Sequence, residues 1–228
     1  MKKWIVFIAT IVSLCSNVAR ANDLEDAIDA HYKGNHAKAL ELLPPIAEEG
    51  NAIAQGLLGR MYLRGEGVNQ DYQQAVKWFL LAAEQGDAYS QGKLGGMYDG
   101  GLGVVQDNKE AVKWLQLAAE QGEVLAQTAL GMSYHYGDGV TQDYQKAVKW
   151  LQLAAEQGEV IAQNTLGFSY FHGIGVTQDY QEAAKWYRLA AEQGNSYAQY
   201  NLGFSYFHGM GVTQDYQEAA KWYRLAAK

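Results

Sequence analysis

The 228-residue chain has one cysteine and two prolines, and no basic run follows Lys3. A single cysteine forms no intramolecular disulfide and supplies no cysteine-rich zinc site. With so little proline and no three-residue glycine period, collagen and Pro/Gly-rich low complexity are excluded. The net charge of -7 and the lack of clustered Lys and Arg argue against nucleic-acid partners, whose phosphates must be met by cations. What the chain has in quantity is glycine (25) and tyrosine (16), with hydrophobic residues at 48%, enough to build a core.

Residues 1–21 differ from the rest. Lys2 and Lys3 precede an apolar stretch from Trp4 to Leu14, and Ala19-Arg20-Ala21 follows as a small-x-small cleavage pattern. The segment predicts a secretory signal cut after Ala21. The apolar run is short for a bilayer span, which needs about 20 residues, and a lipoprotein site at Cys15 would want a small residue where Leu14 stands. Cleavage removes Lys2, Lys3 and Arg20 and no acid, so the mature chain carries a net charge of -10 and no cysteine. No membrane insertion is expected of it.

The rest repeats every 36 residues. Trp78, Trp114, Trp150, Trp186 and Trp222 keep that step, as do four glycine columns beginning at Gly50, Gly59, Gly65 and Gly67. Those columns hold 20 of the 25 glycines, so the excess is architectural. Boundaries follow at 50–85, 86–121, 122–157, 158–193 and 194–228, behind a degenerate opening unit at 22–49. In that unit Asn35, Ala39 and Leu42 stand 36 before Asp71, Ala75 and Trp78, and Pro44-Pro45 are expected to end or kink its second helix.

Each unit predicts two helices. In the fourth, Ala162, Leu166 and Tyr170 form one helical stripe, and Gly173-Ile174-Gly175 breaks it. Asp179 with Glu182 three residues on predicts a reciprocal capping box for the second helix, which should stop at Gly194. The arrangement recurs except at Asp143, where Lys146 replaces the acid. Gly167 lies mid-helix, where glycine costs about 1 kcal/mol relative to alanine, so close packing against the partner helix and its tryptophan must offset it.

At 162–191 the recurring string is Ala-Gln-x-x-Leu-Gly-x-x-Tyr-x-x-Gly-x-Gly-Val-x-x-Asp-x-x-x-Ala-x-x-Trp-x-x-x-Ala-Ala. It resembles the Sel-1-like repeat, a relative of the tetratricopeptide repeat, nearly completely over 50–228 and loosely over 23–49. The resemblance implies an all-α, right-handed α/α superhelical solenoid of 36-residue helix-turn-helix repeats. It also implies an adaptor or binding scaffold for a protein or peptide, of a kind often exported from bacteria. A cysteine-rich branch of the family, with a disulfide in each repeat, is associated with penicillin binding and β-lactamase activity. The absence of cysteine from these repeats removes the basis for that activity here.

Catalytic and cofactor motifs are sparse. Ser90-Gln-Gly-Lys93 matches the Ser-x-x-Lys pair of serine β-lactamases but has no Lys-Thr-Gly or Ser-Asp-Asn companion, and Ser90 occupies a slot held elsewhere by alanine. A cell-wall or β-lactamase-like hydrolase is therefore only the rival expectation. Gly65-Glu66-Gly67 lacks the Lys-Ser/Thr of a phosphate loop. The histidines are His31, His36, His135, His172 and His208. His172 and His208 occupy equivalent slots on stacked helices about 10 Å apart, too far to share zinc, so no metal site and no cofactor is expected.

Partner information should lie at the varying positions. On the first helix, opposite the core slots, lies a face that by resemblance to tetratricopeptide arrays lines a concave groove. It comprises Ile53, Gly56, Arg60, Leu63 and Arg64 in the first repeat and Leu125, Thr128, Met132, His135 and Tyr136 in the third. Aromatics accumulate in the fourth and fifth repeats at Phe168, Phe171, His172, Tyr197, Tyr200, Phe204, Phe207 and His208. With His135 and Tyr136 these are the candidate protein-binding residues, because amphipathic aromatics dominate interface hot spots. Packing between adjacent repeats is the competing explanation, the fourth and fifth repeats being nearly identical. A further expectation is self-association end to end through the last helix.

Overall fold

The structure is a computed structural model that describes residues 22–227. The expected signal segment and the Cys15 alternative lie outside the described residues. Twelve α-helices and no strand occur among the described residues. The opening pair is α1 (22–32) and α2 (His36–Glu48). Next come α3 (Ala52–Arg64), α4 (Tyr72–Glu84) and α5 (Ala88–Gly100), which complete one compact unit ending at Gln106. The second unit, Asp107–Lys228, holds α6 (Asn108–Glu120), α7 (Val124–Tyr136), α8 (Tyr144–Glu156), α9 (Val160–His172), α10 (Tyr180–Glu192), α11 (Ser196–His208) and α12 (Tyr216–Ala226). Within each unit every helix from α2 onward packs on the next in sequence, giving the all-α repeat solenoid.

The helix ends are written in the sequence. Asp71, Asp107, Asp179 and Asp215 each accept hydrogen bonds from the second and third backbone N–H groups of the following helix, at 2.8–3.0 Å. The expected reciprocal half of the capping box does not form. The cap N–H of Asp179 donates instead to the Tyr170 carbonyl at 2.9 Å, and those of Asp71, Asp143 and Asp215 donate to Tyr62, Tyr134 and Tyr206. Glu110, Glu182 and Glu218 are thereby released to pair with Lys113, Lys185 and Lys221. Asp143 caps as well, accepting from the Lys146 N–H at 3.0 Å, so the missing acid does not cost the cap.

Pro44 and Pro45 do not end α2, which continues to Glu48. They lie in its last turn and a half, where the helical bonds lost are those to the carbonyls of Leu40 and Glu41. Burial of Leu43, Ile46 and Ala47 holds the segment against the core.

The mid-helix glycines make the contact expected of them, with a different partner. A Cβ at Gly167 would lie 2.7 Å from the Tyr187 ring and 3.2 Å from the Ala183 carbonyl. At Gly59 it would meet the Phe79 ring at 2.7 Å, and at Gly131 the Leu151 Cγ at 2.7 Å. The residue against the glycine is thus the one after the tryptophan. Tyr187 is 2% exposed, whereas Trp150 and Trp186 are only half-buried. Burial pushes the Tyr187 phenol well above its usual range.

Two further devices join neighbouring repeats. Gly175, with φ +74, approaches the Tyr144 carbonyl so closely that a Cβ would overlap it, and Gly139 and Gly211 meet the backbone of Asn108 and Tyr180 in the same way. The turn glycines are therefore contacts between repeats as well as bends. Buried glutamines supply the other. The Gln163 side chain donates to the Ala155 carbonyl at 3.1 Å and accepts from Gln193 at 2.9 Å. Gln55 does the same with Ala47 and Gln85, and Gln127 with Ala119 and Gln157.

A paired substitution tests the glycine contact. Gly167→Ala should destabilise by about 1–3 kcal/mol, because overpacking outweighs the roughly 1 kcal/mol gained in helix propensity. Gly96→Ala on α5, where a Cβ meets nothing within 4 Å, should stabilise by up to about 1 kcal/mol. Denaturant midpoints moving the same way in both variants would refute this account.

Candidate protein-binding surface

The candidate residues lie in the second unit, most of them on the last turns of α7, α9 and α11. Each of these helices stops at a left-handed glycine: Gly137, Gly173 or Gly209. A glutamine from the following turn then holds the carbonyl of the aromatic or imidazole residue. Gln142 donates to His135, Gln178 to Phe171 and Gln214 to Phe207, each at 2.8 Å. The backbone carrying the candidate side chains is thus fixed by two neighbouring features of the repeat, the glycine stop and the glutamine clamp.

Six of the ten residues form one connected cluster. His172 packs between Phe168, at 4.3 Å between ring centroids, and Phe171 at 5.0 Å. His208 sits in the same way between Phe204 (4.3 Å) and Phe207 (4.9 Å). Phe171 and Phe204, 6.1 Å apart, join the two sets across the repeat boundary. The packing explanation therefore holds for some of these rings and not for others. Phe171 and Phe204 are half-buried and pack between repeats, while Phe168 (39%), Phe207 (45%), His172 and His208 are exposed.

The remaining four stand apart from that cluster. His135 contacts Tyr136 at 4.8 Å and Tyr144 at 5.2 Å. Tyr200 pairs with Tyr223 of α12 at 5.4 Å. Tyr197, 76% exposed, lies near the start of α11, about 15 Å along the helix from Phe207. Within the expected face Gly56 and Thr128 are buried, which corrects their assignment to an open groove. A Cβ at Gly56 would come within 3.0 Å of Ser90 Oγ, and the Thr128 hydroxyl donates to the Val124 carbonyl at 3.1 Å.

Three tyrosines that begin the second helices extend the aromatic strip: Tyr180 touches Phe171 at 5.0 Å, Tyr216 touches Phe207 at 5.3 Å, and Tyr144 touches His135. Their signal in the sequence is the recurring Asp-Tyr-Gln of 143–145, 179–181 and 215–217. A search confined to one face of the first helix passes over it. Ser90, by contrast, has no exposed surface, and the Lys93 ammonium lies over the Tyr89 ring at 5.0 Å. An acyl substrate has no access to that hydroxyl.

The Sel1 repeat model matches five successive segments, residues 52–87, 88–123, 124–159, 160–195 and 196–228. The chain belongs to the Sel1-repeat family. Among solved structures, this Sel1-repeat chain is 41% identical, with a TM-score of 0.85, to a protective antigen present in uropathogenic Escherichia coli strains that displays the same repeat fold. That match covers 91% of this chain and 45% of the antigen, so the chain spans about half the antigen's length. A Sel1 repeat protein from Oxalobacter formigenes is 34% identical with a TM-score of 0.81, over 89% of this chain and 83% of that one. An immunity protein from Pseudomonas aeruginosa, 21% identical with a TM-score of 0.54 over 89% of this chain and 81% of its own, shares the fold alone. Comparison with curated proteins finds no match. No helix among the described residues of this Sel1-repeat chain is long and apolar enough to cross a membrane.

Burial holds the His135 imidazole below its ordinary range. The unfolded Sel1-repeat chain therefore takes up that proton more readily than the folded one. Stability from this group is full above the ordinary imidazole value of about 6.5 and falls as pH drops through it. Melting temperature should decline between about pH 7 and pH 5, and His135→Gln should make the decline shallower. An unchanged slope in that variant would show that His135 plays no part.

Proposed function

We propose that the chain is a non-catalytic scaffold that binds a protein or peptide on the aromatic and imidazole surface formed by the ends of α9 and α11. The observation that carries this reading is the partial exposure of Phe168 and Phe207 beside His172 and His208, on backbone clamped by Gln178 and Gln214. Exposed rings on a preorganised backbone bury large area at small entropic loss, which is the composition of a hot spot. Sel1-repeat solenoids commonly act as interaction scaffolds, and membership of that family supports the same reading. The acidic character of the chain favours a partner with basic residues flanking an apolar anchor.

Export is part of the proposal. Lys2, Lys3, the apolar stretch to Leu14 and the Ala19-Arg20-Ala21 pattern support a cleaved secretory signal and a periplasmic or secreted mature chain. The likeness to a protective antigen of uropathogenic E. coli is consistent with it. The hydrolase alternative rests on Ser90, which is buried among core residues.

Peptides selected from a displayed library against the full mature chain provide the test. Phe168→Ala with Phe207→Ala should weaken binding by at least about 30-fold, the scale of a lost hot spot, while the melting temperature falls only by the loss of two partly exposed rings and the chain stays folded by circular dichroism. Equal affinity for the double variant would place the main site elsewhere.

A further inference from the structure

The first unit contains a convergence of side chains that the proposed binding surface does not use. His31 lies in the last turn of α1 and is 4% exposed. His36 is the first residue of α2, and Glu66 is the middle residue of the Gly65-Glu66-Gly67 turn after α3. Gly67 brings these elements together: with φ +76, it approaches α2 so closely that a Cβ would lie 2.7 Å from the His36 Cβ. One potential ligand atom from each of His31, His36 and Glu66 lies within 4.8 Å of the other two. Among the described residues, this is the one place where three such groups converge.

Two observations point to a missing ligand. The first is that His36 Nδ1 and Glu66 Oε2, two atoms able to ligate a metal, are buried without a hydrogen-bond partner, and that His31 Nδ1 and Arg60 Nε beside them are unpartnered too. They account for four of the seven such side-chain atoms among the described residues, although buried polar groups are normally satisfied. The second is the division of labour on the carboxylate. Arg64 Nη1 at 3.4 Å and Arg60 Nε at 4.0 Å approach Oε1, while Oε2 faces His31 Nε2 at 3.7 Å. Two guanidiniums thus orient Glu66 from one side and leave its other oxygen turned toward the imidazoles.

We propose that His31, His36 and Glu66 form a binding site for a divalent transition-metal cation, with zinc as the ion the donor set fits best. Two imidazoles and a carboxylate suit zinc far better than magnesium or calcium, which take oxygen ligands. Tetrahedral zinc with bonds of about 2.0–2.1 Å separates its ligands by about 3.4 Å. The His31–Glu66 distance is already close to that, and a pair at the 4.8 Å limit would close by about 1.4 Å, within reach of a side-chain rotation. The fourth position is left to water or an exogenous ligand. Arg60 and Arg64 hold the carboxylate in place as outer partners, and their positive charge tempers the affinity.

The site is peculiar to the junction of the opening unit with the first repeat. At the positions equivalent to Glu66 stand Leu102, Asp138, Ile174 and Met210, and at those equivalent to His36 stand Tyr72, Asn108, Tyr144, Tyr180 and Tyr216. No linear motif announces it, because its three residues come from three elements. The expectation of no metal site rested on the spacing of His172 and His208, which this cluster does not involve.

Titration of zinc chloride into the full mature chain, stripped of metal by chelator dialysis, tests the assignment. One zinc per chain should bind at micromolar or lower concentration and raise the melting temperature, while millimolar magnesium does neither. His36→Gln and Glu66→Gln should each weaken zinc at least about tenfold with helical circular dichroism unchanged, and the double variant His172→Gln, His208→Gln should bind as the wild type does. Absence of stoichiometric binding, or undiminished affinity in both site variants, would overturn the proposal. So would loss of binding in the His172, His208 double variant.

Discussion

The fold depends on how closely one helix can approach the next. At Gly59, Gly131, Gly167 and Gly203 the first helix of a repeat rests directly on the side chain at the centre of the second, with no room for a methyl group. That closeness determines what the opposite side must supply: a large apolar residue, Phe79, Leu151, Tyr187 or Tyr223, one position after the tryptophan. It also explains why residues poor at forming helices persist in mid-helix. The local loss of about 1 kcal/mol is set against a buried aromatic or leucine side chain, and burial of that kind contributes about 1.5–3 kcal/mol.

With that distance fixed, the polar parts of the repeat follow. Helix ends brought this near to apolar neighbours cannot rely on water, so their carbonyls must be met from within the chain. The glutamine after the first core alanine meets them, reaching back to the preceding helix and forward to the glutamine that ends its own repeat. A second glutamine, in the turn, meets the carbonyl at the end of the first helix. The aromatic and imidazole side chains are consequently displayed on main chain whose hydrogen bonds are already made.

The period, the helix pairs, the aspartate caps and the close-contact glycines were legible in the sequence because each is a local pattern repeated at one step. The fate of Pro44 and Pro45 was not, since their effect depends on how firmly Leu43, Ile46 and Ala47 are held, and that is a tertiary matter. The glutamine network was visible as a column but not as a function, its partners lying 8 and 30 residues away. Among the candidate site residues, the helical face located the rings but not their sorting into Phe171 and Phe204, which pack, and Phe168 and Phe207, which are exposed. Tyr180 and Tyr216 were missed because they belong to the helix after the turn. The proximity of His31, His36 and Glu66 was not legible because it comes from the packing of the opening unit against the first repeat.

The seam between repeats has one more property. Where Gly175 and Gly211 meet the preceding unit, they touch main-chain carbonyls of Tyr144 and Tyr180, atoms that every residue type possesses. Such a junction does not inspect the identity of its neighbour. At this contact a gene segment copied in tandem therefore needs no compensating mutation, and the glutamine pairs and ring contacts of the seam are copied with it. The near-identity of the fourth and fifth repeats is the pattern that such copying would leave, and a change of array length by whole repeats would keep the glycine seam the same.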